Sequence, residues 1–261
     1  MDLGTIIGLG IGMSMVVLGI LLGGVGIGPY LSPDSVAIVI IGSFGALMVA
    51  NPMSRMLGIT KYLKHVFSTT SWNEEEIISQ LVGFSDRARK EGLLALEDTI
   101  DQVQDEFMRK GIQLVVDGSD PDIIKGILYA DLNQLEVRHE VGANIMGDWA
   151  TIAPAFGMIG TLVGLIAMLG NIGGDSSAIG RGMQTALVTT LYGSFLANLV
   201  FIPFKIKLED RHRDEMRVRE IVIEGILSIQ SGDNPRILQE KLISFLPPDQ
   251  RQAVRQEAEV G

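Results

Sequence analysis

The amino-acid sequence predicts an all-α, polytopic membrane protein with four transmembrane helices and a helical cytoplasmic domain, and three observations carry that prediction. The 261 residues include 31 glycines at a mean hydropathy of +0.31, a balance that places part of the chain in lipid, where glycines let helices approach closely. Two uncharged apolar runs lie near the N-terminus, and two more lie between Trp149 and Phe204. The remainder is charged sequence with the periodicity and punctuation of helices. Composition also excludes whole classes of function. Net charge is −10, with Lys+Arg 21 against Asp+Glu 31, the wrong sign for a protein that binds nucleic acid. With no Cys there is no disulfide framework, thiolate nucleophile or iron–sulfur cluster. His65, His139 and His212 lie far apart and lack metal-ligand spacing.

Residues 1–53 read as a transmembrane hairpin. Leu3 to Gly28 carries no charge; Val36 to Ala50 reaches the ~20 residues of a span only by including Ser35 and boundary residues to about Met53. Gly28-Pro29 and Ser32-Pro33-Asp34 supply the turn between them. No basic residue precedes the first run and no small-residue cleavage site follows it, so it reads as a span and not as a signal peptide.

Residues 54–148 read as a cytoplasmic helical domain. Asn73 followed by Glu76 resembles a capping box. Leu93, Leu96, Ile100, Val103 and Phe107 recur at helical spacing and predict one amphipathic helix. Asp117-Gly118-Ser119-Asp120-Pro121 stops it and starts another, with Asp120 as N-cap and Pro121 as first helical residue; a calcium loop fits poorly because further acidic ligands are missing. The next helix carries Ile124, Ile127, Leu128, Leu132 and Leu135 on one side.

Residues 149–204 read as a second pair of spans, from Trp149 to about Gly170 and from about Met183 to Phe204, with 171–182 as the loop. Residues 205–261 continue as a charged helical tail, interrupted at Asp233-Asn234-Pro235 and Pro247-Pro248. Of the basic residues only Arg181 falls on the side of the two short loops, so the bias of Lys and Arg toward the cytoplasm puts both termini and the middle segment inside. Arg181 itself has no evident role.

The third and fourth spans are unlike simple anchors. They carry Thr151, Pro154, Gly157, Gly160, Thr161 and Gly164, then Thr185, Thr189, Thr190, Tyr192, Gly193, Ser194, Asn198 and Pro203. Small and hydroxyl residues at such positions fit helix packing alone; they also fit a cation path. Counting ~1.5 Å per residue from the outer ends puts Thr161 and Thr190 at one level, and puts Pro154 and Pro203 near the cytoplasmic ends of their helices. Thr189 and Thr190 point ~100° apart, so one of them faces an ion at most. None of the four spans has an Asp, Glu, Lys, Arg or His in its interior. Since ion carriers place a charge within the membrane and hydroxyl oxygens need a negative partner to hold a hard cation, the missing carboxylate is expected from a partner helix.

Arg87-Ala-Arg89-Lys90-Glu91-Gly92-Leu-Leu-Ala-Leu-Glu97, Met108-x-Lys110-Gly111-Ile-x-Leu-x-Val-Asp117-Gly118, Ala153-Pro154-Ala-Phe-Gly-Met-Ile-Gly-Thr161-Leu-Val-Gly164-Leu and Thr189-Thr190-Leu-Tyr192-Gly193 follow one another in this chain. In that order, with two-plus-two topology, the sequence resembles the MotA/PomA family of flagellar motor stator subunits, on the sodium-driven PomA side, over nearly its whole length. The resemblance implies a bacterial inner-membrane homo-pentamer around two copies of a MotB/PomB-like subunit, whose single membrane helix brings an essential Asp. It implies no enzymatic activity and no cofactor. It further implies that inward cation flow drives rotation and that the cytoplasmic domain passes torque to the rotor protein FliG. Arg89 and Glu97, with Lys90 and Asp98 beside them, match the rotor contact. Without the resemblance they are charges on a solvated helix, worth ~0 to 1 kcal/mol as surface pairs. Pro154 and Pro203 match prolines that couple ion occupancy to conformation, although two helix kinks would look the same. Thr161, Thr189 and Thr190 match hydroxyls of sodium-driven members, with sodium expected at Thr161 and Thr190 and a proton path as the alternative.

The same superfamily holds ExbB/TolQ-type energisers of outer-membrane processes, which carry three spans and lack the N-terminal hairpin expected here. An independent transporter is disfavoured by the absence of intramembrane charge or of an inverted repeat, and a membrane enzyme by the absence of a catalytic or phosphate-binding motif.

Overall fold

The computed structural model describes residues 2–68, 72–248 and 251. Among them every regular element is a helix. Four helices are long and apolar enough to cross a membrane: Leu3–Leu22, Gly28–Ala50, Pro121–Leu169 and Ser176–Gln230. The residues form two compact units, one from Met1–Thr69 with His139–Asp210 and one from Thr70–Arg138 with Arg211–Gly261. The two longest helices contribute residues to both.

The first unit contains the membrane-spanning residues. The first span, Leu3–Leu22, is capped by Asp2, which accepts from Thr5 N at 3.1 Å. At ~1.5 Å per residue it is ~30 Å long, one hydrocarbon thickness, and none of its side chains is buried within the chain. Gly24 and Gly26 at φ +78° and +76° then reverse the backbone, a conformation that costs glycine little. After a 3₁₀ turn at Gly28–Tyr30, Ser32 caps the second span, with Pro33 in its first turn. A π-helical turn, Ala37–Ile41, precedes its last segment, Gly42–Ala50. Two side chains of the fourth span hold the hairpin turn by its carbonyls: Gln184 donates to Pro29 O at 2.6 Å and Tyr192 to Tyr30 O at 2.5 Å.

Leu47, Ile145, Met146, Ala153, Phe201 and Phe204 form this unit's buried core. Trp149 stacks on Phe201 with centroids 4.2 Å apart and donates its indole N–H to Ser43 Oγ at 3.1 Å, so its polar handle is satisfied within the protein. Beyond the second span lie a single turn, Met53–Met56, and the amphipathic helix Ile59–Phe67, whose Val66 is buried against the same core.

The fourth helix begins at Ser176, seven residues before the expected Met183. Its start is set by Asp175, which accepts from Ser177 N at 2.9 Å and Ser177 Oγ at 2.6 Å; the polar residues of this turn read as loop because hydropathy cannot see a cap. Arg181 gains a local role there, donating to Ser177 Oγ at 3.0 Å and pairing with Asp175 at 3.6 Å. The hydrogen bonds from the Ser177 hydroxyl and amide, with the Arg181 charge adding to them, hold the Asp175 carboxyl below its ordinary value.

The second unit is built from Glu74–Glu91, Glu106–Val116, Pro235–Ile243 and the unit's share of the two long helices. Ile78, Leu81, Leu96, Met108, Ile112, Leu128, Ile221 and Ile226 are buried in its core. Asn73 caps Glu74–Glu91 by accepting from Glu76 N at 3.3 Å, while Glu76 accepts from the Asn73 side-chain amide at 3.2 Å. The single helix expected from Leu93 to Phe107 is instead three pieces: a 3₁₀ turn Leu93–Leu96, a one-turn helix Glu97–Ile100, and Glu106–Val116 capped by Asp105. Leu96, Ile100 and Val103 are nonetheless buried together. Burial produced the spacing; Gly92, at φ +90°, and the Asp105 cap decided continuity. Asp117–Pro121 breaks as expected, with Gly118 at φ +71° and Asp120 accepting from Asp122 N at 2.9 Å.

Asp105 does a second thing. It binds the guanidinium of Arg219 at 2.7 and 2.8 Å, which sits 5.2 Å from the Trp72 ring centroid and 5.0 Å from that of Phe107. Replacing Asp105 by Ala removes a cap and leaves the largely buried Arg219 with Glu215, at 3.3 Å, as its remaining carboxylate, and is expected to cost about 2 kcal/mol. Asp105→Asn, which keeps the cap, should recover about 1 kcal/mol of that. Thermal unfolding of the purified protein, followed through Trp72 in a Trp149→Phe background, checks both.

Because the folded Asp175 pKa is depressed, its contribution to the start of the fourth helix is fully present above the unfolded carboxylate value of ~4 and is lost as pH falls through the lower folded value. Amide protection at Ser177–Ile179 should therefore drop on acidification below ~pH 4, and Asp175→Asn should abolish that pH dependence.

Candidate functional site

Two stripes of small residues bring the third and fourth spans together. Ala153, Gly157, Gly160 and Gly164 follow one another at intervals of four, three and four; Gly182, Ala186, Thr189 and Gly193 repeat those intervals on the other helix, and all eight are buried. Such spacing keeps each set on one helix face. The backbones approach so closely that side chains could not be added. A Cβ on Gly164 would lie 2.5 Å from Gly182 O and 2.6 Å from Ala186 N; one on Gly193 would lie 2.7 Å from Ala153 O.

This register puts Thr161 and Thr190 side by side, with their hydroxyl oxygens 2.5 Å apart. Thr161 reaches Gly157 O at 3.0 Å and Ala186 O at 3.1 Å, and Thr190 reaches Ala186 O at 3.1 Å. Each hydroxyl has one proton and two lone pairs. At that separation one hydroxyl donates to the other, and the accepting hydroxyl donates to a carbonyl, Gly157 O or Ala186 O, which leaves lone pairs on both oxygens to face a third group. Thr190 is exposed on the surface of the pair and Thr161 is half-buried. The arrangement therefore offers two neutral oxygen ligands, and no carboxylate lies within the span interiors to complete a site.

Thr189 takes the other direction. It is fully buried, donates to Thr185 O at 2.8 Å or Ala186 O at 3.0 Å, and fills the space where a Cβ on Gly160 would come within 2.5 Å of it. Of the adjacent threonines, one packs against Gly160 and the other opens outward.

The two prolines do not share a level. Pro154 lies against Gly193, where an added Cβ would be 3.0 Å from Pro154 Cα. Pro203 is ten positions further along the fourth span, ~15 Å by helical rise. Neither proline lies near the end of its helix as expected, because one helix runs unbroken from Pro121 and the other continues to Gln230. A π-helical turn, Leu196–Phe201, ends two residues before Pro203; the ring removes the N–H that Leu199 O would otherwise accept, and the wider turn occurs where regular pairing fails.

In the second unit, Arg89, Lys90, Glu97 and Asp98 are all exposed around the turn at Gly92. Lys90 binds Asp86 at 2.6 Å; that hydrogen bond, with the Asp86 charge, raises its pKa and keeps it cationic. Asp98 pairs with Arg87 at 3.6 Å. Arg89 and Glu97 form no ion pair among the described residues.

Sequence reasoning passed over Trp149, Gln184 and Tyr192 as structural anchors. A buried indole or phenol in a span must find an acceptor, which marks Trp149 and Tyr192; the partners Ser43 and Tyr30 O are not readable from sequence. Gly182 falls in the loop that hydropathy predicts, which hides its close approach to Gly164.

Fold and site together define a multi-pass inner-membrane protein with a neutral oxygen pair between two closely packed spans. Residues 99–221 match the MotA/TolQ/ExbB proton channel family and residues 6–92 match the Motility protein A N-terminal region. The chain is similar to Motility protein A of Borreliella burgdorferi, 47% identical over 96% of each chain. It is also similar to two solved structures: C. jejuni MotAB, at a TM-score of 0.88 and 30% identity over 95% of this chain and 97% of that one, and the flagellar MotAB stator complex from Bacillus subtilis, at 0.88 and 31% over the same shares. The chain belongs to the MotA family of flagellar stator proteins.

Gly164→Ala is expected to force the two spans apart, at about 2 kcal/mol, while Gly180→Ala, which meets nothing within 4 Å, should be neutral or slightly stabilising. The fraction remaining monodisperse after heating in detergent checks the contrast.

Proposed function

We propose that this chain is a flagellar motor stator subunit that couples inward cation flow, with sodium favoured over the proton, to rotation. The observation that carries the ion reading is the Thr161–Thr190 oxygen pair, 2.5 Å apart, on the open side of a helix contact that keeps Thr189 hidden. Sodium is a hard cation suited to neutral oxygens when a carboxylate joins them. A MotB/PomB-like subunit is the source of that carboxylate, on a membrane helix seated where Thr190 is exposed. The working assembly is a homo-pentamer of this chain around two such helices.

Both termini, residues 54–148 and residues 205–261 lie on the cytoplasmic side in this reading, and residues 149–204 form the ion-path pair. Pro154 and Pro203 couple occupancy to helix geometry, the second through the π turn beside it. Arg89 and Glu97 are the foremost contacts for FliG: they are exposed and without an internal ion pair, and complementary charge sets encounter and register at such surfaces. Lys90 and Asp98, each held by a neighbour, contribute field at the edge of that contact.

The test is rotation of tethered cells against external sodium at fixed proton motive force, with this chain and its cognate partner as the only stator. Speed should rise with sodium. Thr190→Ala should abolish sodium-dependent rotation while leaving assembly intact, whereas Thr189→Val, which preserves volume, should keep at least half of it. Sodium-independent rotation would reassign the hydroxyls to a proton path, and unchanged motility of the Thr190→Ala cells at low sodium would sink the coordination role.

A further inference from the structure

The segment between the second span and the second unit carries charge of one sign. Between Asp34 and Glu74 there is no Asp or Glu, in a chain of net charge −10. Arg55, Lys61 and Lys64 are all exposed there, and none forms an ion pair or side-chain hydrogen bond among the described residues. Lys61 and Lys64 stand one turn apart on helix Ile59–Phe67 and so share its outer face; the opposite face is committed to the protein through Tyr62, Leu63 and Val66.

Both ends of the segment are fixed at span ends. Asn51 closes the second span, donating its side-chain amide to Leu47 O at 3.3 Å. At the other end, Phe67 O accepts from Asp2 N at 3.0 Å, and Asp2 is the cap of the first span. Lys207 binds Asp2 and Thr5 at the same place. The segment therefore runs along the level at which two spans end, which is the level of lipid headgroups. Leu57, between the two short helices, is 75% exposed and Met53, at the start of the first, 58%, exposed apolar side chains beside three cations.

We infer that Arg55, Lys61 and Lys64 form a binding surface for anionic phospholipid headgroups, with Met53 and Leu57 entering the acyl boundary beneath them. The occupant is the leaflet itself, because the surface continues that of the spans and its charge complements an acidic headgroup. The inference rests on the membrane topology proposed above and is independent of the ion and of rotation.

The test uses the full chain co-purified with its partner subunit in neutral detergent, titrated with fluorescent phosphatidylglycerol or phosphatidylcholine. Phosphatidylglycerol should bind about tenfold more tightly, and that preference should shrink as salt is raised. The triple variant Arg55→Gln, Lys61→Gln, Lys64→Gln should lose the preference, with binding of phosphatidylcholine unchanged, and Lys61→Arg with Lys64→Arg should retain it. Equal preference in the triple variant, or displacement by millimolar inorganic phosphate, overturns the assignment. Should the triple variant fail to assemble, the wild-type protein decides alone, since absence of a salt-sensitive preference for the anionic lipid is equally fatal. Loss of rotation with lipid preference intact would count against the motor reading only.

Discussion

The close backbone contact between the third and fourth spans is the constraint on which the membrane part depends. Two helices in lipid gain nothing from hiding apolar surface from each other, since the solvent is as apolar as they are. Their register must come from shape and from hydrogen bonds. Here the matching stripes through Gly160 and Thr189 leave one way for the helices to meet, and that register alone brings Thr161 to Thr190. Thr190 is outward because its neighbour is inward, ~100° away around the helix.

The second unit is held by different physics. Its core is aliphatic and sealed from water, as in any soluble helical domain, and its most engaged charge is Arg219 between two aromatic faces and two carboxylates, Asp105 and Glu215. In the first unit the apolar side chains are mostly outside: Leu22 is 78% exposed and Val49 90%. Both surfaces obey one rule, burial of what the local solvent rejects, applied to two solvents.

What could be read in the sequence followed from which signals are local. The four spans are long uncharged runs, and Asn73, Asp105 and Asp120 are caps whose chemistry sits within three residues. Thr161 and Thr190 were legible as one level because depth adds residue by residue. Pro154 and Pro203 are read as lying near helix ends, and they do not, because loss of hydropathy marks the edge of lipid and not the end of a helix. Leu93 to Phe107 misled for a related reason: hydrophobic spacing reports which residues face a core, and three short pieces can present the same face as one helix. Tyr192 with Tyr30, and Gln184 with Pro29, join positions more than 150 residues apart, and no single sequence contains that pairing.

The π turn at Leu196–Phe201 has a consequence for how this chain can vary. Such a turn behaves as one residue inserted into an α-helix, so it sets the rotational phase between the half of the fourth helix that carries Thr190 and the half that carries Phe204, Lys205 and Lys207. Were the turn to close into a regular α-helix with no residue removed, the residues that follow it would turn by ~100°. Phe204 would leave the core, and Lys207 would swing away from Asp2. A substitution that makes the turn regular without shortening it would thus uncouple the two ends, whereas removing one residue along with the π turn would keep them in phase.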